Sequence, residues 1–183
     1  MQILNGSSRR QGIGQPSSVR LLQLIVGLAA GLLLLGATPL AAQDACKPAL
    51  DATMKIFDTS NHSYGTMNVM GKPQIVESIY AGGAVYMKYD GKWTNIGTTQ
   101  EMKAVAEKNR RTNKATCSYL KDEVVGSDFT AVYTVHEVTP HGTSDSKLWI
   151  SKSKGVPLRS DIDVSGGMHM STRYEYGNIK PPM

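Results

Sequence analysis

The chain has 183 residues, enough for one domain with a core, and carries 20 basic and 15 acidic side chains. Arg9, Arg10 and Arg20 fall in a first segment without a single acid, so most of the formal +5 belongs to that segment. The rest of the chain is close to neutral, which excludes the broad basic surface of a nucleic-acid binder.

The N-terminal segment reads first as an export signal. A basic start is followed by the apolar run "LLQLIVGLAAGLLLLGA", then Pro39 and the small residues Ala41 and Ala42 before Gln43-Asp44. That order is the anatomy of a secretory leader, and the spacing places cleavage after Ala42. The expectation is therefore a leader over residues 1–42 and a single domain over 43–183, periplasmic or secreted, with no membrane span once the leader is gone. A retained anchor is the alternative, but the run is short for a span of about 20 residues. In an exported chain, Cys46 and Cys117 read as a disulfide.

Along the mature chain, Cys46, Ala49, Leu50, Thr53 and Phe57 recur at helical spacing, which predicts a helix over about Lys47–Thr59. The period then changes. "YGTMNVMG", "PQIVESIYAGG" and "AVYMKYDGKWTNIG" are strand-like runs broken by glycine, and Asp90-Gly91 marks a two-residue hairpin turn. Alternation places Val85, Met87 and Tyr89 on one face and Tyr86 and Lys88 on the other. "TTQEMKAVAEKNRRTNK" interrupts with a short surface helix, Thr98 and Glu101 forming its capping box and Arg110-Arg111 its last turn.

From Cys117 on, five more strand-like runs alternate with turn signals at Gly126-Ser127, Pro140-His141-Gly142, Lys154-Gly155 and Gly166-Gly167. The fold class is α+β: a curved antiparallel sheet of about eight strands, a half-open barrel, covered by the N-terminal helix and the short midchain helix.

The element order, the "KYDGKW" hairpin, "YTVH" leading into "LWISKSKGVPLR", and the closing "YEYGNI" together resemble the outer-membrane lipoprotein-sorting family. The positions that carry the likeness are Trp149, Ile150, Lys154, Gly155, Pro157 and Arg159. The resemblance implies a periplasmic carrier whose half-barrel is lidded by helices. A concavity that the helix does not fill would be an apolar pocket suited to acyl chains. Phe57, Tyr80, Val85, Met87, Trp93, Val132 and Trp149 are its expected lining, with Trp149 turned toward the helix.

Catalytic signatures are missing: there is no Gly-x-Ser-x-Gly, no phosphate-binding loop and no dinucleotide fingerprint. Asp161 and Asp163 share a strand face, as ordinary exposed carboxylates do. Met67, Met70 and the Met168-His169-Met170 tripeptide are copper-type ligands. On a strand, however, His169 points away from the two methionines; His136 and His141, flanking a turn, form a second candidate pair. The reading is a binding or carrier protein without enzymatic activity or cofactor, its partner a lipid or other apolar ligand. The alternatives are an envelope module with a self-filled core that binds a protein partner, and a copper-binding protein.

Overall fold

A computed structural model describes residues 39–69 and 71–182. The expected leader lies mostly outside the described residues, as does Met70. Helix α1 spans Pro39–Met54, so the expected cleavage point after Ala42 falls within its first turn. Strands β1 (Asn61–Val69), β2 (Lys72–Ala81), β3 (Ala84–Tyr89) and β4 (Lys92–Thr98) come next. Helix α2 (Thr99–Thr112) leads into β5 (Lys114–Val125), β6 (Asp128–Thr139), β7 (Gly142–Ser151), β8 (Pro157–Val164) and β9 (Met168–Tyr176). The count is nine strands, one more than expected.

The first helix begins and ends earlier than the spacing of its apolar residues suggests. After Met54 the chain tightens: Ile56 N donates to Thr53 O, Phe57 N to Met54 O and Asp58 N to Lys55 O. These three-residue bonds narrow the coil and stop the α-helix. Asn61, fully buried at the start of β1, then donates from Nδ2 to the carbonyls of Ile56 (2.9 Å) and Thr59 (2.8 Å). Helix α2 starts as expected, with Thr98 and Glu101 in a reciprocal capping box and Arg110 and Arg111 in the last turn.

All nine strands are antiparallel neighbours in one sheet, in the order β4-β3-β2-β1-β9-β8-β7-β6-β5. The hairpin turn at Asp90-Gly91 has φ of 48° and 75°, the doubly positive geometry that suits right-twisted strands. Consecutive strands β4 and β5 form the two outer edges, with only α2 between them. In a flat sheet at about 4.8 Å per strand they would lie about 38 Å apart. A 14-residue helix reaches only about 21 Å. The sheet must therefore curl until α2 can span its open side, and curled it remains unclosed.

Helix α1 packs on one end of this sheet. Cys46, Ala49 and Ala52 meet Cys117, Val135, Leu148 and Ile150, with Leu50, Ala115 and Tyr133 around them. The small residues on α1 let it approach the strands closely. Cys46 and Cys117 are joined as a disulfide across a separation of 71 residues, their Cα atoms 4.9 Å apart. Arg110 pairs with Asp51 (3.0 Å) and Lys103 with Asp58 (2.8 Å), tying α2 to α1 and to the turn behind it.

Candidate ligand-binding site

Cross-strand register identifies the face that α1 covers. One row of directly paired residues runs Cys117, Val135, Ser146, Ile162, Met170, Met67, Gln74 across seven strands. The next runs Tyr119, Tyr133, Leu148, Ser160, Thr172, Gly65, Val76. Paired residues of an antiparallel ladder share a face, so all of these belong to the side that holds the disulfide and α1.

Helix α1 lies over β5, β6 and β7. Beyond it the same face continues over β8, β9 and β1 with half-buried Ile162, Met170 and Met67. Methionine there offers a soft, adaptable apolar surface. Between Ile162–Met170–Met67 and the tyrosines nearer the α1–β1 turn lie the small groups Ser160, Thr172 and Gly65, and Ser63 and Ser78 continue the row of Tyr174. Ser63 and Ser78 hydroxyls bond at 2.6 Å and Ser160 meets the Tyr174 hydroxyl at 3.3 Å, so these buried oxygens are satisfied. Burial pushes the Tyr80, Tyr174 and Tyr176 phenols well above their ordinary value, which keeps them neutral.

Two grooves open beside the helices. One, of about 400 Å³, lies between α2 and the turn after α1 and is mostly polar, with Asp58, Gln100, Lys103 and Glu107 around Phe57. The other, of about 320 Å³, runs under α1, with Ala131, Tyr133 and Ile150 as its floor and Pro48, Ala52 and Lys55 along its helix wall. Lys152 and Gly155, from the β7–β8 turn, close one end. That turn is fixed by Asp128, which accepts hydrogen bonds from Ser151 and Ser153 and pairs with Lys154 at 3.1 Å. Lys154 holds the Asp128 carboxyl below its ordinary range.

The seven expected lining residues divide between the two faces. Tyr80 and Val85 pair directly, Met87 pairs with Ser78, and all three share the α1 face. Phe57 packs edge-on against Tyr80 with ring centroids 5.9 Å apart. Trp93, Val132 and Trp149 lie on the opposite face and come no nearer to the helix. Trp93 pairs with Lys88, whose ammonium sits 5.4 Å from the indole. Val132 pairs with Trp149, and Trp149 pairs with Arg159.

The expectation that Trp149 faces α1 is therefore corrected. Leu148 and Ile150 take that side, and strand alternation sends the tryptophan between them the other way. Its ring is covered by the Arg159 guanidinium at 4.4 Å and the Lys147 ammonium at 5.8 Å. Missing from the expected lining are Ala131, Tyr133 and Ile150. The period-two run Ala131-Tyr133-Val135 carried the signal, but its neighbour Val132 is equally apolar.

The remaining candidates are occupied in other ways. Burial raises the Asp161 carboxyl, but hydrogen bonds from Ser171 and Arg159 outweigh it and leave the group below its ordinary value. His169 bonds Asp163 at 2.7 Å on the face away from Met168 and Met170, and His136 bonds Asp145 at 2.8 Å instead of turning to His141. Among the described residues no three His, Cys, Asp or Glu side chains converge as a metal site, and no helix is long and apolar enough to cross a membrane.

No family model matches the chain, and no curated protein matches it. Solved structures do. The lipoprotein LppX of Mycobacterium tuberculosis aligns with a TM-score of 0.47 at 13% identity, over 79% of this chain and 99% of that one. The Pseudomonas aeruginosa MucA/MucB complex gives 0.46 at 14% identity, over 76% of this chain and 59% of that one. A putative outer membrane lipoprotein-sorting protein domain from Vibrio parahaemolyticus gives 0.28 at 8% identity, over 75% and 94%. Identity is low and every one of these scores is below 0.5, so the likeness is loose.

Proposed function

We propose that this chain is a non-catalytic binding or carrier protein of the periplasm or extracellular space, holding an acyl chain or another apolar ligand on the α1 side of its curled sheet. The observation that carries this reading is the incomplete cover of that side. Helix α1 lies over three of the nine strands and leaves a groove of about 320 Å³ floored by Ala131, Tyr133 and Ile150. The apolar face then runs on through Ile162, Met170 and Met67. The disulfide and the leader-like first segment support an exported location.

Native mass spectrometry of protein exported and purified without detergent tests the reading. The expected spectrum shows extra mass on the scale of a lipid, lost on denaturation and absent in Ile150→Glu. A bare mass that also fails to gain added long-chain lipid would refute it, and an excess equal to one copper ion would favour the metal alternative. A second reading has its own support: the edge strand β5 exposes Tyr119, Leu120 and Val124, with Phe129 71% exposed beside them on β6. Such an edge suits a protein partner. Chemical cross-linking in the exporting cell, lost in Phe129→Ser, would favour that module.

A further inference from the structure

The charge around the α1 groove says more about the ligand than its apolar floor does. At the mouth stand Lys55, just past the end of α1, and Lys152, on the β7–β8 turn. Gly155, on the same turn as Lys152, has φ +65°, and a Cβ there would lie 2.6 Å from Lys55 Nζ. The Lys55 ammonium thus reaches across from the helix to the turn and lies over the groove's end. No carboxylate comes within ion-pair distance of it among the described residues. Lys152 has Asp122 as its partner. The one carboxylate in the groove wall, Asp51, is already taken by Lys47 and Arg110. Lysine past a helix C-terminus suits the dipole by itself. What distinguishes this one is its place at the open end of an apolar groove, with a second lysine in the same lining and no acid of its own.

Resting on the binding reading proposed for this face, we infer that the groove takes a single-chain anionic amphiphile, a long-chain carboxylate, with its head on Lys55 and Lys152 and its tail along Ala131, Tyr133 and Ile150. Size favours one chain over two, because about 320 Å³ is near the lower end of ligand pockets. Sign favours a carboxylate over a neutral or cationic head. The groove lining holds two lysines, Lys55 and Lys152, against one carboxylate, Asp51, and that carboxylate is already paired with Lys47 and Arg110.

Calorimetric titration of the purified full chain with dodecanoate, dodecyl maltoside and dodecyltrimethylammonium, each below its micelle concentration, separates head from tail. The carboxylate should bind about tenfold tighter than the maltoside, as one charge-assisted contact gives, and the ammonium surfactant most weakly. Lys55→Gln should bring the carboxylate to the level of the maltoside and leave the maltoside unchanged. Lys55→Glu should turn the preference toward the ammonium head. Circular dichroism melts matching the parent would show that both variants are folded. Equal binding of the three heads would overturn the inference and leave acyl binding standing. So would a carboxylate preference untouched in Lys55→Gln and in Lys152→Gln. No binding of any of the three would overturn both.

Discussion

Removing the Cys46–Cys117 bridge should cost at least a third of the stability of this fold. The two half-cystines are separated by 71 residues, for which loop-closure entropy gives about 4.4 kcal/mol of constraint on the unfolded chain. Both are in the core, Cys46 at 1% and Cys117 at 7% exposure, so replacing each by alanine also leaves small voids worth about 1 kcal/mol together. A loss of about 5 kcal/mol compares with a whole margin of about 5–15 kcal/mol for a domain. For a chain of this size it corresponds to a fall in Tm of about 10–20 °C. Urea and thermal melts of Cys46→Ala/Cys117→Ala, followed by far-UV circular dichroism beside the parent with and without dithiothreitol, read it directly. The reduced parent, which keeps both sulfurs, should lose about 4.4 kcal/mol, and the double variant about 1 kcal/mol more. A loss under about 1 kcal/mol in both would refute the reasoning, since α1 would then be held by Ala49, Ala52 and Leu50 alone.

Three further substitutions probe the scaffold. Gly65→Ala would place a Cβ 2.7 Å from Ser171 O and 3.0 Å from Thr172 Oγ1 on the neighbouring strand, and should cost about 1–3 kcal/mol in a urea melt. Asn61→Asp replaces the amide that donates to Ile56 and Thr59 carbonyls with a buried carboxylate; a loss of about 3 kcal/mol at neutral pH, partly recovered in acid, is expected from the same melts. The Thr98 backbone N–H, and then its hydroxyl, hold the Glu101 carboxyl below its ordinary value of 4.5. A lowered folded-state value stabilises α2 above pH 4.5, and that support disappears as acid titrates the lowered group. The helical circular dichroism signal should therefore decline below pH 4.5, and Thr98→Ala should cost about 1 kcal/mol at neutral pH and flatten that decline.

Where local chemistry decides, the sequence was legible. Asp90-Gly91 admits few turns, Thr98 and Glu101 admit one cap, and two cysteines in an exported chain admit one intramolecular pairing. The limits of α1 were not legible, because Ile56 and Phe57 continue its apolar stripe while the contact that ends it comes from Asn61, beyond the helix. The face of Trp149 was hidden for a different reason. Leu148-Trp149-Ile150 is apolar in both registers, so alternation gives two answers. Only pairing with Arg159 and Lys147 on the one side and contact with α1 on the other selects between them. The groove residues Ala131 and Tyr133 were missed with it, since Val132 and Trp149 are neighbours across the same ladder.

The pairing of β1 with β9 has a consequence for how the chain assembles. Four strands before α2 and five after it form two ribbons, each built from hairpins between neighbours in sequence. The join between them is the seam from Asn61–Tyr176 to Val69–Met168, and it brings together groups as remote as Tyr64 and Glu175, 111 positions apart. Hairpins close early because little chain must be ordered, whereas a distant pairing waits on loop closure. The seam is thus expected to be the last ladder of the sheet to form. The bridge between Cys46 and Cys117, which ties the helix before one ribbon to the edge of the other, shortens the search for it.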